Sequence, residues 1–166
     1  MERRSAQSII GVDFDNTLAN YDEVVYGIAL ERGLIDPQVK KQKKMVRDVI
    51  RALPQGDIEW QRLQGSMYGP EMGRAELTNG AKAFFQQAGR NDSQLFIVSH
   101  KTESAKYDET RTNLRHSAMA WMTRKGFFDI NGLNMPKQNV YFESTRQEKI
   151  ARIHQLGCTH FIDDLE

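Results

Sequence analysis

Asp13 and Asp15, in the run Asp13-Phe14-Asp15-Asn16-Thr17, directly follow the apolar stretch Ile9-Ile10-Gly11-Val12. Side chains alternate along an extended chain, so both carboxylates leave the strand on one side. A second acidic pair, Asp163-Asp164, follows Phe161-Ile162 in the same way. Carboxylates gathered at one sheet edge repel each other, and a hard divalent cation among them relieves the repulsion. Magnesium suits that donor set. A carboxylate attacks a phosphate dianion poorly because both are negative, and neutralising the phosphoryl oxygens with a metal removes the obstacle. Asp13 is therefore expected to form an aspartyl-phosphate, while Asp15 protonates the leaving oxygen and then deprotonates the attacking water. Ser99, in Ile97-Val98-Ser99-His100, can offer its hydroxyl and nearby backbone N–H to the transferring phosphate. Lys149 can supply positive charge near Asp164, in a helix that Ser144 and Gln147 open as a Ser-x-x-Gln capping box. Lys101 and Lys137 compete for that role; Lys149 is preferred.

The elements that must position these groups are legible as apolar runs without polar alternation: Ile9 to Val12, Leu95 to Val98, Val140 to Phe142 and Phe161 to Ile162. Strands buried on both faces read this way. Helical patterns separate them, which predicts an α/β fold with a parallel, Rossmann-like sheet whose ligands lie beyond the carboxyl ends of the strands. The gap between the first two runs is far longer than the roughly 30 residues of a simple strand-helix-strand unit. A helical insertion is expected at 20–77, leaving 1–19 and 78–166 as the core. Within it, one helix is expected from Asn20 to a C-cap at Gly33, with Val24, Val25 and Ile28 on one side. A second starts at Asp36-Pro37, buries Val39, Val46, Val49, Ile50 and Leu53, and stops at Pro54. A third runs from Asp57 through Trp60 and Leu63, and a helix from Asn79 through Phe84 and Phe85 returns the chain to the sheet.

Taken in order, these motifs resemble the haloacid dehalogenase superfamily over essentially the whole chain. Its pattern is Asp-x-Asp-x-Thr after the first strand, Ser or Thr after the second, a lone Lys, and an acidic pair after the fourth. The resemblance implies a helical cap between the first two motifs. It implies Asp13 as nucleophile and metal ligand, Asp15 as acid/base and as ligand through its backbone carbonyl, and Thr17 as an orienting residue. Ser99 and Lys149 would hold the phosphate; Asp164 would be the main distal Mg²⁺ ligand, with Asp163 in support. A dehalogenase of this fold would lack Asp15, and a pump ATPase would carry Lys there and need membrane helices.

The expected activity is that of a magnesium-dependent phosphatase acting on a small phosphorylated metabolite, a sugar phosphate or nucleotide. A phosphomutase or other phosphotransferase uses the same acids, and a non-catalytic phosphate-binding protein is the alternative from another class. His100 and Lys101, next to Ser99, and Tyr21, four residues past Thr17, are within reach of substrate in sequence terms. Trp60 and Tyr68 join Tyr21 as insertion aromatics that either select substrate or pack the lobe. Lys40, Lys41, Lys43 and Lys44 form the one basic cluster, and such a run is ordinarily a solvated helix face. Since the net charge is only +1, no global field draws nucleic acid, and none is expected as partner. The single cysteine, Cys158, has no intrachain partner and no long apolar stretch is present, which points to a reducing cytoplasm without a membrane span.

Overall fold

The computed structural model describes residues 7–164. In chain order the elements are β1 (Ile9–Val12), β2 (Ala19–Asn20), α1 (Asp22–Glu31), α2 (Lys43–Arg51), α3 (Gly56–Tyr68), β3 (Glu76–Leu77), α4 (Ala81–Arg90), β4 (Gln94–His100), α5 (Leu114–Arg124), β5 (Val140–Glu143), α6 (Arg146–Gln155) and β6 (His160–Ile162). The four apolar runs are β1, β4, β5 and β6. They pair in parallel in the order β5-β4-β1-β6, so the fold is α/β with a parallel sheet. From β1 the chain winds outward through β4 to β5, then crosses back to β6 on the other side of β1. That reversal opens a crevice at the carboxyl end of β1, where open α/β sheets bind their ligands.

Register decides what meets there. Val12 lies beside Ile97 of β4 and beside Ile162 of β6. The next residues, Asp13 and Asp163, are therefore level, and the Asp13 N–H donates to the Ile162 carbonyl at 2.8 Å. The central strands lack alternation because both their faces are covered: Val12, Ile97 and Val98 are at most 1% exposed. Gly11 faces Phe161, and a Cβ at Gly11 would stand 2.5 Å from the Phe161 ring. Only a missing side chain lets that ring lie across β1.

Two units divide the chain: residues 1–19, 77–102 and 122–166 in the first, and 20–76 with 103–121 in the second. The second unit thus takes in 103–121, a segment expected in the core. Its helices bury Val24, Val25 and Ile28 of α1, Val46 and Ile50 of α2, and Trp60, Leu63 and Met67 of α3. Trp121 is fully buried, and its indole N–H donates to the Ala75 carbonyl at 2.8 Å. Gly33, at φ 65°, ends α1 as expected, because the left-handed turn costs glycine nothing.

The expected start of α2 at Asp36-Pro37 is corrected to Lys43. Asp36 caps a local turn through Gln38 N–H at 2.8 Å, and the Pro37 carbonyl accepts from the Tyr26 hydroxyl at 2.7 Å. Side-chain bonds of this kind compete with helix. Among the described residues no helix is long and apolar enough to cross a membrane.

Candidate active site

β1 delivers Asp13 into a buried position, 6% exposed, and the chain then turns sharply. Asn16 adopts φ 63°, a left-handed conformation that Asn tolerates, and Leu18 and Ala19 N–H both donate to the Phe14 carbonyl at 2.9 and 3.0 Å. Phe14 is fully buried and meets the Phe142 ring edge-on, which anchors the loop between the two acids. The Thr17 hydroxyl is buried and has no hydrogen-bond partner among the described residues, an exception that calls for a ligand or water in a native site.

Lys149 arrives from the first turns of α6. The capping box that opens this helix is Thr145 with Glu148, one residue later than the expected Ser144 and Gln147. Glu148 N–H donates to Thr145 Oγ1 at 3.1 Å, while Glu148 Oε2 accepts from the Thr145 and Ser144 N–H groups at 2.9 and 3.1 Å. The carboxylate reaches two N–H groups and fixes the register. From there Lys149 Nζ lies 2.8 Å from both Asp13 Oδ1 and Asp163 Oδ2, and 5.2 Å from the centre of the Phe161 ring. Lys137 is exposed in a 3₁₀ turn before β5, at the amino end of that strand and over the Phe128 ring.

Burial pushes the Asp13 carboxyl up to about 6, against the lowering by the Lys149 bond and with further upward pressure from Asp163 and Asp15. For Lys149, burial alone would lower the pKa, but the bonds to Asp13 and Asp163 outweigh it and the net direction is up. We take Lys149 as charged. One ammonium shared between two carboxylates is not enough to offset the desolvation of Asp13.

The end of β4 brings Ser99, 1% exposed, and Lys101, 4% exposed, to the same edge. His100, between them, turns its ring to the Ser144 carbonyl, Nε2 to O 3.0 Å. It also lines a cavity of about 320 Å³ with Arg146, Lys149, Phe161 and Asp163. Lys101 Nζ lies 2.8 and 3.1 Å from the two oxygens of Asp15, a pairing across 86 residues that the sequence did not suggest. Tyr21 is 1% exposed within the helical unit, its hydroxyl 3.2 Å from Met72 Sδ and its ring edge-on to Tyr68. Trp60 is likewise buried there, and Tyr68 is half-buried with its hydroxyl accepting from Lys43 Nζ at 2.7 Å.

Asp13, Asp163 and Asp164 each place a carboxylate oxygen within 4.8 Å of the others. Three oxygen donors against one ammonium leave the cluster net negative, which fits a hard divalent cation. The Asp15 carboxylate lies outside this cluster, paired to Lys101.

No family model matches this chain, and no curated protein matches it. Among solved structures, it is similar to a haloacid dehalogenase-like family hydrolase from Xanthomonas campestris at 12% identity. That alignment covers 92% of this chain and 70% of the other, with a TM-score of 0.48. A HAD-superfamily hydrolase from Ehrlichia chaffeensis aligns at 14% identity over 95% of this chain and 89% of its own, also at 0.48. The chain is an α/β protein whose parallel sheet presents an acidic and lysine-bearing carboxyl edge.

Proposed function

We propose that this chain is a hydrolase of the haloacid dehalogenase type, a phosphatase that cleaves the phosphate ester of a small metabolite, a sugar phosphate or nucleotide. The observation that carries the reading is the buried Asp13 carboxylate oriented by Lys149 beside Asp163 and Asp164, with a second acid two residues along the same loop. Asp13 attacks phosphorus, the ester P–O bond breaks, and Asp15 gives its proton to the leaving oxygen. Asp15 then takes a proton from water as that water attacks the aspartyl-phosphate, which releases phosphate and regenerates Asp13. Ser99 and Lys149 hold the phosphoryl oxygens, and the orphaned Thr17 hydroxyl is a donor available to order the loop. Asp13, Asp163 and Asp164, with the Asp15 carbonyl, would hold Mg²⁺, which when bound supplies neutralisation of phosphoryl charge. Substrate choice is assigned to the helical unit, since the phosphoryl-handling residues all belong to the other, and the compartment to a reducing cytoplasm.

The test is phosphate release from a panel of phosphorylated metabolites, with and without Mg²⁺, by the intact chain and by Asp13→Asn. Turnover that needs the metal and disappears in Asp13→Asn is expected. Binding of phosphate esters without turnover of any of them would make the chain a phosphate-binding protein instead.

A further inference from the structure

The site contains two lysines, and the reaction above uses one. Lys149 serves Asp13 and Asp163. Lys101 has a side chain only 2% exposed and sits on Asp15, its ammonium within 2.8 and 3.1 Å of both carboxylate oxygens. An ammonium is tolerated at such depth only when paired, so Lys101 and Asp15 hold each other in place. Alternation along the end of β4 puts Ser99 and Lys101 on one side and His100 on the other, as it puts Asp13 and Asp15 on one side of the loop after β1. Two further contacts fix Lys101, and a third holds the residue it bonds. Its N–H donates to the Glu143 carbonyl at 2.9 Å, Glu143 is tied to Arg152 at 2.7 Å, and the ammonium lies 5.6 Å from the centre of the Phe14 ring. Phe14 is the residue between the two acids.

We propose that Lys101 is a positioning residue for Asp15: it fixes the carboxyl where the leaving oxygen must be protonated, and is neither a substrate contact nor a second phosphate lysine. This rests on the phosphatase reading. The terminal torsion of an Asp is soft and broad. With Asp15 ionised the cation spans both oxygens, and with Asp15 protonated it still holds the unprotonated one, so the acid stands in one place from turnover to turnover, which is where orientation acts on rate. A phosphate-holding lysine would speed cleavage of every ester alike. A residue acting through Asp15 matters in proportion to the leaving group's need for a proton.

The discriminating measurement is the single-turnover rate of leaving-group release, with Mg²⁺, from an aryl phosphate whose phenolate leaves unaided and from an alkyl phosphate whose alkoxide does not. Lys101→Met is expected to lower the alkyl rate by about 10²-fold, in the range of general-acid effects, and the aryl rate by a much smaller factor. KM should move little, and Lys101→Arg should recover part of the alkyl rate. In an Asp15→Asn background the same substitution should add almost nothing, because the group through which it acts is gone. Equal losses on both esters, or full additivity with Asp15→Asn, overturns the proposal. If Lys101→Met does not fold, the Lys101→Arg cycle with Asp15→Asn discriminates in the same way: non-additive losses support the positioning role and additive losses overturn it. A wild-type chain that cleaves no ester at all would instead remove the phosphatase reading, and this role with it.

Discussion

The two units handle charge in opposite ways. Among the described residues, the buried polar or charged side chains are Asp13, Ser99, Lys101 and Lys149, all in the sheet-bearing unit and all at the carboxyl edge of its strands. In the helical unit the ion pairs are solvated: Lys41 with Glu23 at 55% and 61% exposed, Lys44 with Asp48, Arg51 with Asp57. Exposed pairs contribute roughly 0–1 kcal/mol, whereas buried ones cost several kcal/mol of desolvation before any attraction is counted. A fold selected for stability alone would fill the strand ends with apolar residues. The contrast marks the carboxyl edge as the place where stability is given up, which is where the proposed chemistry lies.

The largest effect is expected at Lys149. Lys149→Met should abolish most ester cleavage and destabilise the metal-free chain by about 3 kcal/mol, because it strands Asp13 beside Asp163. Denaturant midpoints would show it, and an unchanged midpoint would mean the acids are not costly when unpaired. Next in size is the cation. Saturating Mg²⁺ at about 100 times its Kd should stabilise the intact chain by about 2.7 kcal/mol, and Asp164→Asn should reduce that gain while leaving the metal-free melting temperature nearly unchanged. Equal stabilisation of both proteins would put the ion elsewhere. Thr145→Ala removes the α6 cap and should cost about 1 kcal/mol, with a modest fall in kcat because Lys149 sits in the helix's first turns. The smallest effect is expected from Arg51→Ala, within about 0.5 kcal/mol and without change in aryl phosphate turnover.

The strands were legible because both faces of β1 and β4 are covered, so burial writes itself as uninterrupted apolar runs at Ile9 to Val12 and Leu95 to Val98. The acids were legible because strand ends are where such runs stop. Short-range ambiguity explains the slip at α6: Ser144 and Gln147 satisfy the same spacing as Thr145 and Glu148, and only the reach of a carboxylate to two N–H groups separates them. Long-range pairing explains the rest. Nothing local to Lys101 announces Asp15, and nothing in 103–121 announces its membership of the helical unit. Yet Leu114, Ala118, Trp121 and Met122 are buried at the helical spacing of α5. Within the helical unit the Tyr21 ring packs on Tyr68 and its hydroxyl on Met72, contacts that nearness in sequence to Thr17 does not announce.

Gly11 stands two residues before Asp13, the proposed nucleophile, and has no side chain to contribute. The Phe161 ring lies over it, and the Lys149 ammonium lies over the ring. Because the same ring neighbours both, the place where the lysine meets Asp13 depends on how that ring is seated against the backbone at Gly11. A single methyl at Gly11 would lift the ring and displace the ammonium with no hydrogen-bonding group altered. Variation at this position would then read out as lost catalysis in a protein whose every proposed site residue is intact.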